Sequence, residues 1–315
     1  MANVLKILEQ RGRWGNVCTR PESLVLATEE AHGLMLTSAI RDKDSAPACM
    51  FLAALYQKVR LEGRNLLDYY VEILEKLGGY ADTGRSIVMT GAEGGIQRDR
   101  IVASLRASLP KTLGGRAVRK VVDYWNEDLF GKLQSSTDQL SRNVLQFFLD
   151  GCIVTIRPSG TEPKLKFYCQ LVPFETPQGR TAGPALRGME LMRDLTQQVE
   201  TLARAVYQEL LARLDLRLGE PALLLPDIID IGRKQEFERN TIPKLREAIA
   251  QGRFRNLADL LDWLRGEVAA MTPGADPLPA LRAGVTYLCR EWENELGGAP
   301  LLAELAAWAG PRQHA

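Results

Sequence analysis

The sequence predicts a mixed α/β region over residues 1–134, a small α+β domain over 135–220 and an all-α extension over 221–315. Three observations predict it. Short helical and strand patterns alternate through the first third of the chain. After a polar stretch from Lys132 to Asp138 the apolar pattern changes to period two, the mark of a small antiparallel sheet. Over the last hundred residues amphipathic helical patterns follow one another, broken by Pro and Gly.

Taken in order, Val4, Leu5 and Leu8 mark a short opening helix, and Leu24-Val25-Leu26-Ala27 reads as a compact buried strand. Leu52, Leu55, Tyr56 and Val59 fall at helical spacing, as do Leu67, Tyr70, Val71, Leu74 and Leu77. Gly78-Gly79 is expected to stop the second of these helices, since glycine takes the left-handed stop conformation without strain. Ser86 to Thr90 reads as a strand, Ile101, Val102, Leu105 and Leu109 as a helix ending at Pro110, and Val118 to Tyr124 as another strand. Val144–Leu149 and Cys152–Ile156 form a hairpin about Asp150-Gly151, and Leu165 to Leu171 alternates as a further strand. Met192, Leu195, Val199, Leu202, Val206 and Leu210 line a long covering helix. In the extension, Ile242, Leu245 and Ile249 give one helix, Leu257 to Val268 a second and Leu278 to Leu288 a third. Their apolar stripes are expected to bury within the same chain.

Bulk properties exclude several function classes. Forty basic residues against thirty-nine acidic ones leave a formal charge of +1, so no global field recruits nucleic acid or an anionic membrane. The start, Met1 to Lys6, lacks the basic head and apolar run of a signal peptide, and no stretch reaches the ~20 apolar residues of a membrane span. Five cysteines without a Cys-x-x-Cys pair read as reduced thiols of a cytoplasmic protein, not as a zinc site or disulfide framework. With His32 and His314 the only histidines, most histidine-based chemistry is excluded.

The string Arg157-Pro158-Ser159-Gly160-Thr161-Glu162-Pro163-Lys164 lies between two expected strands. Its chemistry suits a phosphate monoester. Arg157 offers paired N–H donors to two oxygens, Ser159 and Thr161 add hydroxyls, and Gly160 lets the backbone approach an anion closely. Pro158 and Pro163 stiffen the ends. The same residue types also suit an ordinary hairpin connection.

Earlier in the chain, Glu29-Glu30-Ala31-His32-Gly33 follows the first strand, and Arg41-Asp42-Lys43-Asp44 precedes a helix. Paired carboxylates can accept hydrogen bonds from vicinal sugar hydroxyls; equally, Glu29 and Glu30 suit a solvated turn and Asp44 a helix cap. Lys43 is a candidate for electrostatic or proton-transfer work, or for a surface salt bridge. His32 could shuttle a proton or simply hydrogen-bond within its loop. Asp42 and Asp44 are better paired with Arg41 and Lys43 than with a metal ion.

From Thr155 to Lys166 the string resembles, almost residue for residue, the C-terminal-domain signature of the α-D-phosphohexomutases, the phosphoglucomutase/phosphomannomutase family. The stretch from Glu29 to Asp44 is similar to that family's sugar-recognition loop, with Ala31 where a serine is usual. The resemblance runs from about Val4 to about Leu214 and implies part of the family's third domain followed by its fourth. It implies that Arg157, Ser159, Gly160 and Thr161 contact the non-reacting phosphate and that Lys164, in the same phosphate-binding set, supports the loop or adds positive potential. It implies that Glu29 and Glu30, with His32 beside them, meet the sugar. Ala31 leaves open whether the sugar is a hexose or a pentose.

Two family features are missing from these 315 residues: the loop bearing the phosphorylated serine and the Asp-rich loop bearing Mg²⁺. In the family, phosphoserine gives its phosphoryl group to the sugar phosphate, and the bisphosphate turns over and returns the other phosphate. That reaction interconverts 1-phospho with 6-phospho (or 5-phospho) sugars, with Mg²⁺ neutralising developing charge. The resemblance thus implies a substrate-holding portion without a catalytic residue or cofactor of its own, with Mg²⁺ expected in the complete enzyme. Expected partners are a hexose or pentose phosphate and a separately encoded N-terminal mutase half. The alternative is a non-catalytic sugar-phosphate module whose helical tail engages another protein.

Overall fold

The computed structural model describes residues 25–28, 33–40, 42–172 and 186–310. They belong to two compact units, Met1–Gly79 with Gly183–Met192, and Tyr80–Ala182 with Arg193–Ala315.

In the first unit, β1 (Ala27–Thr28) pairs antiparallel with β2 (Leu34–Met35). Helix α1 (Ser45–Leu61) begins at Asp44, whose carboxylate accepts the Ala46 N–H at 3.0 Å, the cap expected from its residue type. Helix α2 (Leu66–Leu77) opens with a reciprocal Asn65–Asp68 capping box and stops at Gly78, with φ 89°. The helices lie where the spacing puts them, but their stripes are not buried. Of the apolar positions that define them, Val59 and Leu74 are enclosed, whereas Leu52, Tyr56, Leu67, Tyr70 and Leu77 are exposed. The buried strand expected at residues 24–27 is corrected too: Val25 is 85% exposed and Leu26 45%. Its partner β2 spans two residues, too short a ribbon to enclose side chains. The opening helix expected at Val4 to Leu8 lies outside the described residues.

The second unit holds one antiparallel sheet of six described strands in the order β3-β8-β7-β6-β5-β4. These are β3 (Ala81–Val88), β4 (Thr112–Leu113), β5 (Arg116–Asp123), β6 (Leu145–Leu149), β7 (Cys152–Pro158) and β8 (Lys164–Leu171). Between them run α3 (Gly94–Ala107), α4 (Glu127–Phe130) and α5 (Ser136–Arg142). The sheet crosses the division expected near residue 134, because β3 pairs along its whole length with β8. The polar stretch read as a linker carries the start of α5, capped by Ser135.

Alternation on β6, β7 and β8 buries Phe147, Val154, Ile156, Leu165, Phe167 and Cys169 on one face. Helix α6 (Gly188–Ala212) covers that face with Val199, Leu202, Val206 and Tyr207, the last set edge-on to Phe167 at 6.0 Å. Ile101, Val102 and Leu105 of α3 complete the core.

The extension folds as α7 (Glu220–Leu223), α8 (Ile231–Glu236), a π-helical turn at Phe237–Thr241, α9 (Ile242–Ala250), α10 (Leu257–Glu267), a 3-10 turn (Ala269–Met271), α11 (Leu278–Leu296) and α12 (Pro300–Ala309). Pro243 has no N–H to give the carbonyl four residues back, which accounts for the widened turn before it. Leu245, Ile249, Leu260, Leu264, Leu281, Val285 and Leu288 bury their side chains. The extension also grips the sheet edge. Asp227 takes the Arg85 guanidinium at 2.9 Å on each oxygen and the Ser86 N–H at 2.7 Å, and Asp230 takes the Thr90 hydroxyl at 2.7 Å.

Candidate functional site: the loop between two central strands

β7 and β8 are interior strands of the sheet, so the loop joining them, residues 159–163, is held on both sides. Alternation turns Arg157 to the face opposite the core, exposed, and its guanidinium has no partner among the described residues. Directly across in the register stands Lys166 of β8.

Ser159 is 7% exposed, while Gly160 and Thr161 are exposed. The loop closes on itself: the Ser159 N–H donates to the Lys164 carbonyl at 2.9 Å, and the Lys164 N–H to the Glu162 carbonyl at 2.8 Å. The Lys164 ammonium is ion-paired with Glu162 across the bend. By contrast, the N–H groups of Gly160, Thr161 and Glu162 meet no acceptor among the described residues. The loop therefore offers one unpaired guanidinium, bare backbone donors and two hydroxyls, a set suited to an anion.

Two features were not readable from the loop's own sequence. Gly160 does not adopt the left-handed region, and a Cβ there would sit at an ordinary 3.6 Å from Leu140 of α5. Conformation is thus not what calls for glycine at this point. The second feature is Arg98 of α3. Its Nη1 donates to the Ser159 carbonyl at 2.7 Å and to the Glu162 carbonyl at 3.1 Å, while its Nε pairs with Asp99 at 2.8 Å. The Met89 N–H binds the neighbouring Pro163 carbonyl at 2.9 Å. Helix α3 comes this close because Gly94 has no side chain: a Cβ would lie 1.7 Å from the Met89 carbonyl oxygen. Arg98 stands sixty-one residues from Ser159 in a charged helical surface pattern, and nothing in that pattern marks it.

The remaining expected residues belong to the first unit. Lys43 is half exposed, with its ammonium 3.8 Å from Asp42. Glu29, Glu30 and His32 lie outside the described residues, as does Arg41. Among the described residues no three His, Cys, Asp or Glu side chains gather in a group that could hold a metal ion. The buried thiols are not nucleophile candidates: burial pushes Cys169 up to about 12 and Cys289 up to about 11.

No family model matches the chain. Curated phosphoglucomutases do match, among them those of Staphylococcus aureus strains RF122 / ET3-1, MSSA476 and N315, each 28% identical over 153 residues. Over about half its length, the chain is similar to these phosphoglucomutases. The match takes in 48% of this chain and 28% of each relative, so it spans little more than a quarter of the proteins it is similar to. No described helix is long and apolar enough to cross a membrane.

Proposed function

We propose that the chain is the substrate-holding portion of a phosphohexomutase-like protein of the cytoplasm, gripping the phosphate of a hexose or pentose phosphate at Arg157, Ser159, Gly160 and Thr161. The observation that carries this is the exposed Arg157 guanidinium, without a counter-ion among the described residues, together with three loop N–H groups that meet no acceptor among them. Arg157 takes two phosphate oxygens, the loop amides and the Thr161 hydroxyl take a third, and Lys164, tied to Glu162, keeps the bend closed. Glu29 and Glu30 accept the sugar hydroxyls, with His32 beside them. Similarity to phosphoglucomutases over about half the chain supports the sugar-phosphate class.

The phosphoryl carrier and Mg²⁺ would come from polypeptide outside these 315 residues, since the sequence holds neither the serine loop nor the Asp-rich metal loop. When bound there, Mg²⁺ would neutralise charge on the transferring phosphoryl group. A sugar-phosphate module without turnover is the second reading, favoured by the same two missing loops. The packing of Asp227 and Asp230 on their own sheet supports a structural part for the tail in either case.

Titration of the chain with glucose 1-phosphate, glucose 6-phosphate and ribose 5-phosphate tests the grip. Arg157→Ala is expected to weaken binding by about 1.5–3 kcal/mol, the worth of hydrogen bonds to a charged group. Unchanged affinity would remove the assignment. Mutase assays of the chain alone and mixed with a separately expressed N-terminal phosphoglucomutase portion separate the two readings. Turnover by the mixture supports the first reading, and turnover by the chain alone would overturn the account of the missing carrier.

A further inference from the structure

We infer that Arg98 is a positioning residue that sets the direction of the Gly160 amide in the anion-binding loop, an inference that rests on the phosphate reading of the loop. Its guanidinium does not offer itself as a direct ligand. One edge is held by Asp99 and Nη1 is shared between two carbonyls, Ser159 at 2.7 Å and Glu162 at 3.1 Å. What it governs is the orientation of peptide planes.

In a planar trans peptide the carbonyl of one residue and the N–H of the next point in opposite directions. No peptide bond in the described chain is cis. With the Ser159 carbonyl drawn onto Arg98, the Gly160 N–H of the same plane faces the opposite way and meets no acceptor among the described residues. The Met89 N–H holds the Pro163 carbonyl, fixing the far end of the bend against the same helix start. Carbonyl oxygens that would repel an anion are thus turned toward α3.

Left to itself this plane is easily reversed. Gly160 tolerates either sign of φ, so a flip that exchanged the Gly160 N–H for the Ser159 carbonyl would meet little steric resistance. Arg98 opposes that flip. Loss of the residue should therefore change what the loop presents while leaving the β7–β8 pairing and the core in place. This separates it from Gly94 and Met89, which fix where α3 sits.

The test is titration of the ¹⁵N-labelled full chain with inorganic phosphate and with glucose 1-phosphate, following the Gly160 amide, for wild type, Arg98→Ala, Arg98→Lys and Arg157→Ala. Arg98→Ala is expected to lose about five- to tenfold in affinity, the worth of one to two hydrogen bonds. The Gly160 amide should shift in the unliganded protein and respond less to phosphate, while the core amides keep their positions. Arg98→Lys, which retains one donor, should recover part of both. If Arg98→Ala matches wild type in affinity and in its Gly160 response while Arg157→Ala fails to bind, the positioning role is refuted and the site reading stands. If wild type and Arg157→Ala respond identically, the site reading falls and the role of Arg98 falls with it.

Discussion

Asp227 binds Arg85 through both carboxylate oxygens, at 2.9 Å each, and spends one of them a second time on the Ser86 N–H of the edge strand. One side chain of the helical extension thus answers both a cation and a main-chain donor of β3. Nearby, the fully buried Lys234 donates to the Leu225 carbonyl at 3.0 Å, with its ammonium 3.9 Å from Asp227 and over the ring of Tyr207 at 5.2 Å. Arg85 has a second, looser counter-charge in Glu200 at 3.6 Å, whereas among the described residues Asp227 is the carboxylate Lys234 meets.

Removing that carboxylate should be costly. Asp227→Ala would leave the buried Lys234 without its carboxylate and Arg85, 14% exposed, with only the looser Glu200 pair at 3.6 Å, and is expected to cost about 3 kcal/mol. Asp227→Asn keeps acceptors and should cost less. Urea denaturation midpoints measure both, and a change below ~1 kcal/mol for the alanine variant would contradict the part assigned to the pair.

Stability should rise with pH around Lys234. Burial holds its ammonium down to about 8, against an ordinary value of 10.5, with Asp227 opposing the shift and Arg85 adding to it. Between those values the unfolded chain binds the proton more tightly than the folded one, so stability is lost as pH falls through the window. Burial raises the Tyr207 hydroxyl above its ordinary value, which works the other way at higher pH, so the scan belongs between about 7.5 and 9.5. There wild type should gain on the order of 2 kcal/mol and Lys234→Met should show no such gain.

Gly94→Ala tests the approach of α3 to the loop. The added Cβ would meet backbone, the Met89 carbonyl oxygen at 1.7 Å, so the helix start must move. The expected cost is about 1–3 kcal/mol with weakened phosphate binding. Wild-type thermal stability and affinity together would show that the contact is not needed.

The sugar assignment separates from the phosphate assignment by choice of ligand. Glu29→Gln with Glu30→Gln is expected to weaken glucose 1-phosphate binding while leaving inorganic phosphate unchanged. An equal loss for both ligands would place these residues on the phosphate instead. Lys43→Ala, removing an exposed ion pair with Asp42, should change stability by less than about 0.5 kcal/mol.

How much of this was legible in the sequence depended on range. Local patterns gave the helices at 45–61, 66–77 and 94–107, the hairpin about Asp150-Gly151 and the stop at Gly78, because each is set by residues within a turn of one another. The loop was legible from its residue types and its place between strands. Pairing of β3 with β8 joins residues about eighty positions apart, and periodicity carries no record of partner choice. Burial failed in the first unit for a related reason: spacing at Leu52, Tyr56 and Leu67 reports a helix, not what covers it. Arg98, Asp227 and Lys234 look like ordinary surface charges until the fold brings their distant partners to them.

β3 ends the sheet, and an unpaired strand edge is an adhesive surface for other chains. The carboxylates of Asp227 and Asp230 occupy main-chain donors along that edge and just beyond it, at Ser86 and Thr90. The extension therefore acts as a guard on the sheet's open side, and trimming the chain near residue 220 to isolate the phosphate loop would expose that side to its neighbours. Such a fragment should cluster at concentrations where the full chain stays dispersed, so the loop is best studied with its guard attached.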